Sequence, residues 1–175
     1  NLNHGSFNLS GCIYSSSAGL TLTHSAGLGV RVGVNTVNNV ESPDIIASAD
    51  GSISRVFRVY TDATGATQID AIDSISKAVD PSKYVDSGVL TSLASSKFTA
   101  LYIYHFYGSD TTFVYYSTIN ANSLEIAESL VTSYGAPGEG VAREAELRSA
   151  LIIKSDVTDI NATLGVNAKF ITLNR

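Results

Sequence analysis

Three histidines, one cysteine and a scatter of aspartates are the residues of this chain that could do chemistry. His4, His24 and His105 lie far apart in sequence. No pair has the HxH or HxxxH spacing of a local metal site, so only the fold could bring them together. His105 falls inside an aromatic run, where a hydrogen-bonded structural histidine is the expected role. Cys12 is the only cysteine, so no internal disulfide and no cysteine metal site is expected. Flanked by Gly11, Ile13 and Tyr14, it reads as a buried structural thiol. A cysteine nucleophile needs a histidine and an acid beside it, and no local signature supplies them.

The remaining constellations read as structural. Gly27-Leu28-Gly29 with Gly33 echoes a phosphate loop, but the spacing is wrong and no lysine follows, so a turn between strands is expected. Asp62, Asp70, Asp73, Asp80 and Asp86 are scattered around an irregular middle segment. Glycoside hydrolysis would need two of them converging in a cleft, and solvated loop acids are the expectation. Arg143, Glu144, Glu146 and Arg148 read as an exposed, salt-bridged helix face. Asn8-Leu9-Ser10 and Asn161-Ala162-Thr163 match the glycosylation acceptor pattern, a frequent chance match. The expectation is no catalytic residue, no cofactor, no metal and no enzyme.

Tyrosine stands out, with nine residues, five of them between Tyr102 and Tyr116. Exposed tyrosines stack on sugar rings and anchor interfaces, because a flat apolar ring carries a polar tip. Tyr107 and Tyr115, with Ser109 and Asp110 of the intervening turn, are the candidate contacts with a partner.

These side chains are positioned by the stretch Lys97–Ser117. Phe98, Ala100, Tyr102, Tyr104 and Phe106 alternate with Thr99, Leu101, Ile103, His105 and Tyr107. Bulk on both faces marks a central strand covered on two sides. Gly108, Ser109 and Asp110 supply the turn, and Thr111–Ser117 returns as the second strand.

Upstream, short strands recur about every ten residues, over Leu9–Tyr14, Leu20–His24, Gly29–Val34, Ile45–Ala47 and Ile53–Tyr60. Gln68–Ile75 is either a strand or the start of a helical turn, and Tyr84–Ser96 reads as a loop. Downstream, Asn122 and Glu125 fit a capping box opening one helix, with Leu124, Ala127, Leu130, Val131 and Tyr134 on its apolar stripe. Gly135 and Pro137 end it. Val141–Leu147 reads as a second short helix, Ser149–Lys154 as a strand, Asp156–Asn167 as a polar loop and Lys169–Leu173 as a terminal strand.

The fold class is mainly β with one or two short helices: an antiparallel sandwich or barrel-like module with a helix on a central aromatic hairpin. Residues 1–96 form an N-terminal region of short strands and 97–175 the hairpin, helix and terminal strands, together one compact unit. At 175 residues the chain can bury a sizeable core. A net charge of −5 and 15% charged residues give no electrostatic pull toward nucleic acid or an anionic membrane, and the apolar runs are too short to span a bilayer. With no methionine, even at position 1, the chain reads as a fragment, a processed product or an arbitrarily numbered chain.

The order of features over Phe98–Ile171 resembles a module of tail-fibre and virion-associated proteins of tailed bacteriophages. An aromatic strand (LYIYHFY) precedes a strand ending in YYS, a helix carrying SLEIAESL, the run VAREAELRSALIIKSDVTDI and a final AKFI. The resemblance implies a structural or adhesion component of a virus particle, in a fibre, baseplate or capsid-decorating position. It further implies a homotrimer that contacts other virion proteins and host-surface glycans, located in the extracellular particle. It implies no catalytic residue. A carbohydrate-binding module using Tyr107 and Tyr115 is the alternative, and a polysaccharide depolymerase the third reading.

Overall fold

The aromatic run becomes the two innermost strands of a six-stranded sheet. The structure is a computed structural model that describes residues 7–31, 36–134, 136 and 145–173. The sheet runs β13–β12–β10–β11–β6–β7, with β6 Arg55–Thr61, β7 Thr67–Asp73, β10 Phe98–Phe106, β11 Thr111–Tyr116, β12 Glu146–Lys154 and β13 Ala168–Thr172. All neighbours are antiparallel except β11 and β6, which run parallel. A division at residue 96 therefore cuts through this sheet, since β6 and β7 come from the N-terminal part.

Strand β10 is buried along its whole length except at Phe106, as its two-sided apolar pattern requires. One face carries Leu101, Ile103, Val114, Leu151 and Ile153, which pack against Cys12, Tyr14, Leu22 and Val79. The other carries Ala100, Tyr102, Tyr115, Ala150 and Ile152. Helix α1, Leu124–Tyr134, lies on this second face and inserts Ala127 and Val131, with Leu124 and Leu130 half-buried beside them. The mainly-β, sandwich-like class expected from the sequence is what the chain adopts.

The first face is covered by three small sheets. Strands β1 Phe7–Gly11, β4 Gly27–Val30 and β5 Ile45–Ser48 form one, in the order β1–β4–β5. β2 Tyr14–Ser16 pairs with β3 Leu22–His24, and β8 Lys83–Asp86 with β9 Val89–Ser92. The expected Tyr84–Ser96 loop is thus a hairpin. Ser87 (φ 50°) and Gly88 (φ 81°) both take the left-handed conformation, which a two-residue loop needs to match the strand twist.

Two further expectations are corrected. The helix cap is Ser123, not Asn122: Ser123 Oγ accepts from the Ile126 amide at 3.3 Å, while Asn122 Oδ1 accepts from Lys97 Nζ. Glu125 then falls too early for a capping box. The tail of the expected second helix is strand, because Glu146 and Leu147 open β12, and tertiary pairing with β10 overrides the helical preference of the local composition. His4, Gly33, Val34, Gly135, Pro137, Arg143 and Glu144 lie outside the described residues.

Three of the ladders carry an extra residue. The β10–β12 register skips Arg148, the β6–β7 register skips Asp70, and the β1–β4 register skips Leu9. Each extra residue shifts the alternation of its strand and re-aims a side chain.

Candidate functional site

The fold brings together three residues that sequence spacing kept apart. Cys12, His24 and His105 are all fully or almost fully buried, and one potential ligand atom from each lies within 4.8 Å of the other two. Cys12 sits in the link between β1 and β2 with φ 54°, following Gly11 at φ 63°. Its amide donates to the Ala26 carbonyl at 3.1 Å, which fixes the link against the start of β4. His24 closes β3, paired with Tyr14 of β2. His105 stands near the end of β10, on the face shared with Ile103 and Tyr107, because odd positions of that strand point there.

Aromatic rings enclose the cluster. Tyr14 to His24, His24 to His105 and His105 to Tyr107 have ring centroids 5.3, 4.8 and 4.7 Å apart. The Tyr14 hydroxyl lies 2.9 Å from His105 Nδ1 and 2.7 Å from Thr112 Oγ1. His24 Nδ1 lies 2.8 Å from the Ser25 carbonyl. A carbonyl only accepts, so Nδ1 carries a proton, and in the neutral tautomer that this selects Nε2 is a bare lone pair. Nε2 of both histidines is buried without a hydrogen-bond partner.

Charged groups stand behind the cluster. Arg148, 4% exposed, donates through Nη2 to the Gly11 carbonyl at 3.0 Å and through Nε to that of Cys12 at 3.5 Å. With the Asn8 amide nitrogen turned to the Leu28 and Ser10 carbonyls, its oxygen accepts from Arg148 at 3.0 Å. Glu146 is buried beside it, 4.0 Å from Nη1. The expected exposed helix face is therefore, at these two residues, an interior ion pair; the extra residue in β12 turns them to this side of the sheet. Asp110 (φ 48°) reaches in from the β10–β11 turn, with Oδ1 2.6 Å from Ser48 Oγ and 3.8 Å from His105 Nε2.

The electrostatics follow from burial. Desolvation, helped by His24 and Arg148, lowers the pKa of His105 to about 3, so its ring is neutral. Desolvation raises the Cys12 thiol to about 11, against a lowering hydrogen bond from Tyr107. Tyr14 and Tyr107 are pushed up by burial as well. A cysteine nucleophile needs a thiolate and a route for substrate. A protonated thiol with no exposed surface provides neither, so the cluster is suited to holding the fold or a ligand atom.

The residues expected to meet a partner divide. Tyr107 is 2% exposed and Tyr115 fully buried, so neither can serve as an exposed platform. Tyr107 lies across Gly29, where an added Cβ would come within 2.4 Å of its ring, and its hydroxyl bonds the Asn8 amide. The reason is parity: Tyr107 faces the small sheets, and Tyr115 faces the helix side. Ser109 is exposed and Asp110 half-buried.

The aspartates are structural rather than merely solvated. Asp62 accepts from the amides of Thr64 and Ala66 and from the Thr64 hydroxyl and Gln68 amide. Asp73 does the same with Ile75, Ser76 and Ala78, and Asp80 with Ser82. Asp70, the extra residue of β7, pairs with Lys83 at 2.9 Å and accepts from Tyr116 at 3.0 Å, while Asp80 lies 3.6 Å from the same lysine. A lysine between them and ties to neighbouring residues make this an ion cluster rather than an acid/base pair. Of the two glycosylation matches, Asn8 is tied to Tyr107 and Arg148, and Asn161 donates to the Ser16 carbonyl at 3.0 Å.

On the opposite face, α1 packs on β10 and β12, and the sheet continues past it through β11, β6 and β7. Cross-strand partners Phe113, Phe57 and Ile72 form one row there, and Tyr115, Val59 and Ile69 the next. Phe57 and Phe113 stack with centroids 5.1 Å apart, and Arg31 lies over Phe106 at 4.5 Å. These phenylalanines, with Arg55 and Ser109, line a cleft of about 450 Å³. Ile69 and Ile72 are 58% and 56% exposed. Sequence reasoning missed this row, although a period-two count on β6 and β7 carries it.

No protein-family model, curated protein or solved structure matches the chain.

Proposed function

We propose that this chain is a structural and adhesion module of a virus particle, in a tail fibre, baseplate or capsid-decorating position, that assembles as a homotrimer with other virion proteins. The observation that carries the assembly is the edge strand β7, where Ile69 and Ile72 present apolar side chains beside the half-buried Phe57 and Phe113. Strand edges and contiguous apolar patches of this kind are what subunits cover. The particle itself rests on the resemblance of Phe98–Ile171, together with low charge and a composition rich in small polar residues. The test is the native mass of the purified protein. Three copies are expected, and Ile69→Lys with Ile72→Lys should reduce the mass to one copy that keeps the native circular dichroism spectrum, since both side chains are more than half exposed in the single chain.

A second reading has one observation in its favour. The stacked Phe57 and Phe113 rings, edged by Arg55 and Ser109, have the flat apolar area and polar rim that sugars use. The carbohydrate-binding alternative therefore moves from Tyr107 and Tyr115 to this cleft. A glycan array separates the readings: retention abolished by Phe57→Ala supports a sugar platform, and a blank array leaves the cleft to subunit contact.

A further inference from the structure

We propose that Cys12, His24 and His105 are ligands of a structural zinc ion, with Asp110 as the fourth. The proposal stands independently of the virion reading. Its basis is the convergence of a thiol and two imidazoles whose Nε2 atoms are buried and have no hydrogen-bond partner. Folded proteins rarely leave such atoms unpaired, and an unmatched lone pair in a cysteine–histidine cluster points to a bound cation.

The donor atoms are already oriented. The Ser25 carbonyl holds the proton of His24 on Nδ1, and the Tyr14 hydroxyl occupies Nδ1 of His105. This is the arrangement by which a second hydrogen bond fixes the tautomer and aim of a metal-binding imidazole. When the Tyr14 hydroxyl donates to Thr112, it accepts the Nδ1 proton of His105, and the second Nε2 is bare too. Zinc–nitrogen and zinc–sulfur bonds of roughly 2.0–2.3 Å set ligand atoms about 3.3–3.8 Å apart around a tetrahedron. Edges of up to 4.8 Å close to that by small side-chain rotations. Asp110 is 3.8 Å from His105 Nε2 and is held inward by its turn conformation and by Ser48.

Charge also closes. Zinc displaces the thiol proton to solvent, and a thiolate with one carboxylate neutralises the dication. The nearby Arg148 is matched by Glu146 and occupied by the Gly11 and Cys12 carbonyls. Four protein ligands, with Cys12, His24 and His105 buried, describe a structural rather than a catalytic site. The ligands come from the β1–β2 link, β3, β10 and the β10–β11 turn, so the ion would rivet the small sheets to the main one.

The test begins with the metal content of the purified chain and its titration with Zn²⁺ and Co²⁺. One equivalent is expected, with a cobalt spectrum showing tetrahedral visible bands and a thiolate charge-transfer band. Cys12→Ser should abolish the charge-transfer band, His24→Gln should weaken binding roughly 100-fold or more, and Asp110→Asn should weaken it less. Should a variant fail to fold, the unaltered protein decides: chelator treatment is expected to lower its melting temperature, and re-added Zn²⁺ to restore it. A folded protein that binds neither metal at micromolar concentration, or a Cys12→Ser protein that binds as before, overturns the proposal.

Discussion

Aspartates 62, 73 and 80 each fold back onto the loop that follows them, and this sets how the protein meets acid. The Thr64 hydroxyl, then Gln68 and two amides, lower Asp62 to about 2 from the usual 3.8. Burial pushes Asp73 up, but hydrogen bonds from Ser76, Ala78, Lys77 and Ile75 outweigh it and leave the pKa well below the ordinary range. Asp80 is lowered in the same way, with burial opposed by Ser82 and Lys83. A carboxylate with a depressed folded pKa contributes stability that is full above its unfolded value and lost as pH falls toward the folded one. Stability should therefore fall from about pH 4 downward, and Asp73→Asn should flatten that limb; urea unfolding at stepped pH measures both. Such loop roles are legible in sequence, since Asp-x-Thr, Asp-x-x-Ser and Asp-x-Ser are local patterns. The Cys12–His24–His105 cluster is not, because its members meet only through long-range pairing. One signal was available for His105: odd parity with Ile103 placed it on an apolar face, where a polar ring must find partners.

At the scale of elements, a helix and its cap can be separated by mutation. Ser123→Ala should cost about 1 kcal/mol, the usual worth of an N-cap oxygen, and Asn122→Ala clearly less. Equal costs in chemical denaturation would contradict the assignment. Strand β4 passes so close to Tyr107 that Gly29→Ala would drive a methyl into the ring. Overpacking of this kind costs about 1–3 kcal/mol, and here the displaced ring is the one that meets His105 edge to face. Denaturation midpoints and the cobalt spectrum of Gly29→Ala should move together. The two-sided strand β10 could be read from its side chains alone, because alternation needs no tertiary information. The start of β12 could not: Ala145, Glu146 and Leu147 favour a helix locally, and only pairing with β10 makes them strand. The β8–β9 hairpin was recoverable from Ser87-Gly88, a dipeptide suited to two left-handed residues.

For the whole molecule, one long sheet separates two different interiors. The side under the small sheets holds the polar cluster, and the side under α1 is apolar. Sequence patterning showed that both faces of the central strand are buried. It did not show that β6 joins β11 in parallel, which is what extends the sheet to β7 and its exposed Ile69 and Ile72. Those two exposed isoleucines on the edge strand are the basis for reading the chain as a part made to assemble. The most direct test is the solution mass of the protein at micromolar concentration, by light scattering or sedimentation equilibrium. A mass of three chains, falling to one in the Ile69→Lys, Ile72→Lys protein, is the expected result. A single-chain mass for the unaltered protein would contradict assembly through this face.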